Sequence, residues 1–334
     1  MTQALDHVLD RFPGRLVLIV GDLMVDQFVI GTVERISPEA PVPIVRFDHE
    51  TWRLGGAANV ANNVAALGGR AEVIGVVGAD DDGSRLLAEL ARRSIGTVGV
   101  ITDSSRCTTR KLRVVTTRNQ QVARIDYEDD AELPSSVEST IVRKIEELSA
   151  AAHAIVLSDY LKGVISRQVA AAAAAAARAR EIPLLVDPKV PHIEYYAGAT
   201  VITPNHHEAE LVTLLKIRTS ADARDAARRF RELARSEAVL ITRGEHGMWL
   251  LGPADENGEA SEVELPAEAR EVADVTGAGD TVLSALAMAC AAGVPLIDAA
   301  RLANRAAGIV VGKFGPATVT VEEMRGVGIR SFEL

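Results

Sequence analysis

The chain has 334 residues, 48% of them apolar, enough to bury a full core in one large domain. Its formal charge of −10 leaves no broad cationic surface for a nucleic-acid backbone or an anionic membrane. Two cysteines without CxxC spacing (Cys107 and Cys290), an N-terminus without a signal-peptide layout, and no uncharged apolar run of the ~18 residues that span a bilayer predict reduced thiols and a soluble, cytoplasmic protein.

In chain order, an apolar run at 16–20 stops at Gly21-Asp22. The stretch 28–53, proline-rich in Ser37-Pro38-Glu39-Ala40-Pro41-Val42-Pro43, breaks the pattern. Gly55-Gly56-Ala57-Ala58-Asn59 then opens a helix that runs to Leu67 and closes at Gly68-Gly69. A second irregular stretch, 107–127, alternates in Lys111-Leu112-Arg113-Val114-Val115, which predicts half-exposed antiparallel strands. Helical patterns at 138–148, in the alanine tract 170–177, and at 221–235 separate further apolar runs. Those runs end in polar residues: 154–157 in Ser158-Asp159, 184–186 in Asp187, 201–202 in Thr203-Pro204-Asn205, and 239–241 in Thr242-Arg243-Gly244. A strand-like segment at 270–273 precedes Asp274-Val275-Thr276-Gly277-Ala278-Gly279-Asp280 and a helix over 281–292. Short apolar strands alternating with helices predict an α/β fold with a doubly wound, mostly parallel sheet, whose ligands gather at the carboxyl ends of the strands. The two irregular stretches read as a small β lid inserted into a single domain.

The segment 274–280 carries the chemistry. Small residues at a helix start let backbone N–H groups approach a phosphate, and the helix dipole adds positive charge, so Gly277, Ala278 and Gly279 form an anion hole. Asp280 in that first turn is a candidate general base, although a carboxylate there also complements the helix dipole. Gly55 and Gly56 permit close backbone approach, and Asn59 offers a donor and an acceptor to a sugar hydroxyl; a glycine-rich helix start is also plain capping geometry. The phosphate loop GxxxxGK[ST] and an early GxGxxG are absent, which argues against a P-loop NTPase or a dehydrogenase.

Both glycine motifs, in this order, resemble the two signatures of the pfkB (ribokinase-like) carbohydrate kinases, and the resemblance covers nearly the whole chain. Within that family the chain is most similar to the bacterial kinases of D-glycero-β-D-manno-heptose 7-phosphate. The stretches concerned are 21–26, 35–43, Arg118-Asn119-Gln120-Gln121 and Leu157-Ser158-Asp159-Tyr160-Leu161-Lys162-Gly163. The HxGH motif of the nucleotidyltransferase fused to some of these kinases does not occur, which predicts a kinase-only form.

The resemblance implies a ribokinase-like fold and transfer of the γ-phosphoryl of ATP to the anomeric hydroxyl, in ADP-heptose and lipopolysaccharide synthesis. It makes Asp280 the base and puts Asp22, Gly55, Gly56 and Asn59 on the sugar, with Asp26 beside them. Asn205 and Glu208 match an element that holds Mg²⁺ through water, at a spacing that a helix capping box shares. The nucleotide falls to Thr242, Gly244, Gly247 and Asn304, and a K⁺ ion to Asp274 and Thr276. A homodimer paired through the lid is expected. The substrate's own phosphate needs cationic partners, for which Arg113, Arg118, Lys162 and Lys189 are candidates. Two rivals stand beside this reading: a kinase of another sugar, sugar phosphate or nucleoside, and a nucleotide-sensing module without catalysis.

Overall fold

The computed structural model describes residues 7–129, 131–268 and 272–326. The first strand is β1 (Leu16–Gly21), whose residues Val17 to Val20 are fully buried, as a strand covered on both faces requires. Without a break other than Asp22 it continues into the long hairpin β2 (Leu23–Ile36) and β3 (Pro43–Gly56), then α1 (Ala57–Ala66), β4 (Arg70–Gly78), α2 (Asp81–Arg92) and β5 (Gly96–Asp103). A second hairpin, β6 (Thr109–Thr116) and β7 (Gln121–Tyr127), precedes α3 (Ser135–Leu148), β8 (Ala154–Ser158), α4 (Arg167–Ala179), β9 (Leu184–Asp187) and β10 (Val201–Ile202). The remainder is α5 (His206–Thr213), α6 (Ser220–Ala234), β11 (Ala238–Thr242), β12 (Met248–Ala254), β13 (Ala260–Leu265), α7 (Ala278–Ala291), α8 (Leu296–Val310) and the single turn α9 (Val321–Met324).

The strands form two sheets. The larger has nine strands in the order β13-β12-β11-β10-β9-β8-β1-β4-β5, parallel from β11 to β5, with β12 pairing antiparallel to both of its neighbours at the other edge. One face carries a core in which α1, α7 and α8 pack, the other a core with α3, α4 and α6. From β1 the chain first builds toward β4 and β5, then returns to lay down β8 on the opposite side. The order therefore reverses between β1 and β8, and in open α/β sheets the crevice at that reversal takes the ligand. There a Cβ on Gly21 would lie 2.1 Å from the Ser158 carbonyl oxygen, so only glycine lets these two strand ends approach.

The smaller sheet has four strands in the order β3-β2-β6-β7. Its two hairpins are antiparallel as expected, but the central pair is not: β2 and β6 run parallel, from Met24 opposite Thr109 to Gly31 opposite Thr116. Alternation of polar and apolar residues marks a strand with one wet face and does not fix the direction of its partner. The strand expected at 270–273 is not found either. Val272 and Ala273 are outside any strand, the Ala273 N–H donating to the Val311 carbonyl at 2.8 Å, while Arg270 and Glu271 lie outside the described residues. Both cysteines are free thiols, and no described helix is long and apolar enough to cross a membrane.

Candidate active site

Helix α7 begins at the switch point. Its N-cap, Gly277, has φ +78°, and a Cβ there would come within 3.0 Å of the Asn59 amide nitrogen. Glycine is thus needed for both backbone conformation and space. A Cβ on Gly279 would meet nothing within 4 Å, so the following turn faces open volume. Asp280 is buried, with each carboxylate oxygen accepting one hydrogen bond: Oδ2 from Asn59 Nδ2 and Oδ1 from the Tyr160 hydroxyl, both at 2.7 Å. Loss of water raises its pKa to about 6, against the lowering effect of those two donors. Asn59 is fully buried and is itself steadied by Asn63, whose Nδ2 donates to the Asn59 carbonyl at 3.0 Å. Its amide therefore orients Asp280, whereas the sequence had suggested that it meets a sugar hydroxyl.

Asp22 likewise has a structural task. Its carboxylate, 1% exposed, accepts the backbone N–H groups of Tyr160 (2.7 Å), Lys162 (3.1 Å) and Val164 (3.1 Å). Both oxygens thereby help to shape the loop after β8. Burial and the neighbouring Asp159 raise its pKa in spite of these bonds. Asp159 supports the same loop, taking the Leu161 N–H on Oδ1 and, on Oδ2, the Tyr196 hydroxyl and the His192 ring. On the far side, Asp187 at the end of β9 has its pKa pushed up to about 7 by burial, partly offset by Lys189. Lys189 bonds Glu208 at 2.7 Å and lies 3.9 Å from Asp187. Burial opposes its charge, but these two carboxylates outweigh it and raise its pKa.

The small sheet turns a basic face to this crevice. Strand register places Arg53, Asp26, Lys111 and Asp126 in one cross-strand row, with Arg113 and Arg124 one pleat further along the same face. Arg113 pairs with Asp26, Arg124 with Asp126 at 2.9 Å, and Arg53 donates to the Phe314 carbonyl at 2.6 Å. Lys111 has no salt-bridge partner among the described residues; its Nζ sits 5.1 Å from the centroid of the Tyr160 ring, and burial lowers its pKa. A Cβ on Gly55 would fall 2.5 Å from Asp26, and one on Gly56 (φ +54°) 2.5 Å from the Asp22 carbonyl oxygen, so this pair serves the packing of β3 on β2. Of the other cations expected to hold a phosphate, Lys162 turns to Glu128 at 3.0 Å, and Arg118 is exposed in the turn between β6 and β7.

A cavity of about 450 Å³ opens on the other side of the α7 start. Ala278 and Gly279 line it together with Thr242, Gly244, Gly247 and Asn304, which the sequence had grouped as a nucleotide site. The Asn304 amide donates to the Pro266 carbonyl at 2.8 Å, fixing it in the wall. The volume lies within the ~300–1,000 Å³ of ordinary small-molecule sites.

The sequence profile of the pfkB family carbohydrate kinases matches residues 15–323. The chain belongs to that family. Among curated relatives it is 47% identical over 309 residues to the bifunctional protein HldE of Geobacter sulfurreducens, covering 92% of this chain. It is 46% identical to that of a Caulobacter species, covering 98% of this chain. It spans 62% and 65% of those two proteins' lengths. The fold matches an Arabidopsis thaliana ribokinase complexed with ribose and ATP (TM-score 0.72, 19% identity, 94% of this chain and 98% of that one). It also matches Escherichia coli phosphofructokinase-2 in complex with potassium (TM-score 0.76, 18% identity, 94% and 98%). The protein is a sugar kinase with a ribokinase-like fold.

Membership of this kinase family implies ATP and a divalent metal. Among the described residues no three His, Cys, Asp or Glu side chains converge on a metal position. Asn205 and Glu208 form a full capping box on α5, Glu208 Oε2 accepting the Asn205 N–H and Oε1 the Lys189 ammonium. Such a set fits an ion that keeps its waters and is carried on nucleotide phosphates, not one ligated directly. Asp274 Oδ1 accepts from the Thr276 N–H (2.9 Å) and hydroxyl (2.7 Å), and Oδ2 from the Gly315 N–H at 2.9 Å. Burial opposes its charge, but these bonds prevail and hold its pKa below the usual range.

Proposed function

We propose that this kinase transfers the γ-phosphoryl of ATP to the anomeric 1-hydroxyl of D-glycero-β-D-manno-heptose 7-phosphate, giving the 1,7-bisphosphate for ADP-heptose and lipopolysaccharide synthesis in the cytoplasm. The observation that carries the reading is the position of Asp280: a buried, doubly oriented carboxylate at a helix start, between a cavity of nucleotide size and a basic sheet face. Asp280 takes the proton of the acceptor hydroxyl as its oxygen bonds the γ-phosphorus. The Gly277, Ala278 and Gly279 backbone meets the transferring charge, and ADP departs. Thr242, Gly244, Gly247 and Asn304 hold the nucleotide. Mg²⁺, when bound, supplies charge neutralisation on the phosphates, with Asn205 and Glu208 holding its waters; K⁺ would lie by Asp274 and Thr276. A phosphorylated acceptor suits the basic face of the small sheet, which acts as a lid on the single kinase domain. The resemblance of 35–43 and 157–163 to heptose 7-phosphate kinases supports this choice of sugar.

A coupled ADP-release screen over sugars and their phosphates tests this, run in potassium and in sodium salts at equal ionic strength. We expect turnover to depend on the heptose 7-phosphate and to be faster in potassium. Preference for another acceptor overturns the substrate, equal rates in both salts remove K⁺, and ATP binding without turnover on any acceptor overturns catalysis. Exposed apolar residues on the lid, Ile36, Phe47 and Ile125, support a homodimer through that sheet. Sedimentation of a Phe47→Asp variant as the same species as wild type would argue against it.

A further inference from the structure

Tyr160 is held more tightly than a loop residue needs to be. Its N–H is fixed to Asp22, the next N–H to Asp159, and the loop passes through a left-handed residue, Leu161 (φ +57°), before Gly163 (φ +94°). These ties aim the phenol at Asp280 Oδ1, 2.7 Å away, while two ammonium groups lie near the ring, Lys111 Nζ at 5.1 Å and Lys189 Nζ at 5.4 Å from its centroid. The opposite oxygen of Asp280 is held by Asn59, so the carboxylate has a donor on each side and one orientation.

We propose that Tyr160 is a positioning residue for the phosphoryl transfer, its hydroxyl locking Asp280 in the orientation and charge state that receive the acceptor proton. This rests on the reading of Asp280 as the base. The acceptor O–H breaks and its proton passes to a lone pair of Asp280 that neither Asn59 nor Tyr160 uses. The acceptor oxygen bonds the γ-phosphorus as the bond to the bridging oxygen breaks and ADP leaves. Tyr160 keeps its own proton throughout. Burial and the carboxylates Asp280, Asp187 and Asp26 push the phenol's pKa well above its usual value, which suits a permanent donor. The charged groups facing Asp280 are Asp26, Asp187 and Lys189, and those facing Tyr160 are Asp280, Asp187, Asp26, Lys111 and Lys189.

The test compares pH profiles of kcat for wild type and Tyr160→Phe. A hydrogen bond to a charged group is worth about tenfold to a hundredfold, and here it favours the ionised base. Its loss should move the acid limb up by about one pH unit from about 6, lowering kcat roughly tenfold on that limb and about twofold at neutrality, with KM for ATP unchanged. Incorporating 3-fluorotyrosine at position 160, a more acidic donor that keeps the contact, should move the limb the other way, and it serves if the phenylalanine variant does not fold. Infrared difference titration of the Asp280 carboxyl, assigned by its loss in Asp280→Asn, needs no acceptor and should show the same two shifts. It decides the matter even if wild type turns over no sugar tried, an outcome that would sink the functional reading instead. An acid limb and a carboxyl titration unmoved by Tyr160→Phe overturn the proposal. A raised acceptor KM alone would then make Tyr160 a substrate contact, and an equal loss at every pH with a lower melting temperature would make it packing.

Discussion

The crevice is bounded by two regions that treat charge in opposite ways. Along the carboxyl edge of the large sheet, carboxylates are buried and oriented by neutral or backbone donors: Asp22 by three N–H groups and, at the start of α7, Asp280 by an amide and a phenol. On the small sheet, Arg53, Lys111, Arg113 and Arg124 share a face with only Asp26 and Asp126, and Lys111 has no salt bridge among the described residues. A group that must act in one orientation is surrounded before the ligand arrives, whereas a group that recognises an anion keeps capacity until it does.

The largest effect expected of this contrast is at Asp280. Asp280→Asn keeps the shape and removes the proton acceptor, so kcat should fall by ~10²–10⁴ while calorimetric affinities for ATP and sugar stay near wild type. A folded variant keeping more than about a tenth of wild-type kcat would break the comparison at its centre. In wild type the base is lost as protonation sets in, so kcat should decline as pH falls through about 6.

On the small sheet, Lys111→Ala should raise KM about tenfold to a hundredfold for a phosphorylated acceptor and leave the unphosphorylated sugar unaffected, the range for one charged hydrogen bond. An equal change for both sugars would mean that the basic face does not read the phosphate.

A smaller cost is expected where the two regions' supports meet. Gly277→Ala forces a left-handed alanine and a contact on Asn59, which should lower stability by about 1–3 kcal/mol in denaturant melts and loosen Asp280. Unchanged stability would show that the α7 start tolerates a side chain.

The smallest is electrostatic. Asp187 has a pKa raised from 3.8 to about 7, so the folded state binds its proton more tightly than the unfolded chain does. Its contribution is complete below about pH 4 and is lost as pH rises through about 7. Replacing it by asparagine should flatten the decline in melting temperature over that window; parallel curves for the two proteins would refute the assignment.

Much of this was legible in the sequence. Apolar runs stopping at Asp22, Ser158, Asp187 and Thr242 located the strand ends, and small residues before Asp280 located the helix start. What stayed hidden depends on partners distant in sequence. Tyr160 carries no assigned role in the sequence because the carboxylate it bonds is 120 positions away, and Asn59 reads as a ligand contact because nothing local shows that it points inward. Asn205 and Glu208 were ambiguous for a different reason, since one spacing serves a capping box and a water-held ion alike; the cap is formed. Arg113, Lys162 and Lys189 looked like free cations because their acidic partners lie on other elements.

The parallel pairing of β2 with β6 carries a consequence for how the molecule is assembled. A hairpin can zip from its turn, but Met24 meets Thr109 only across a span that contains α1, β4, α2 and β5. Those elements belong to the body, and their folding shortens the loop that β2 and β6 must close. The small sheet is therefore joined at its centre by a long-range contact, whose closure prior folding of the large sheet favours, and its basic face comes into register through that contact.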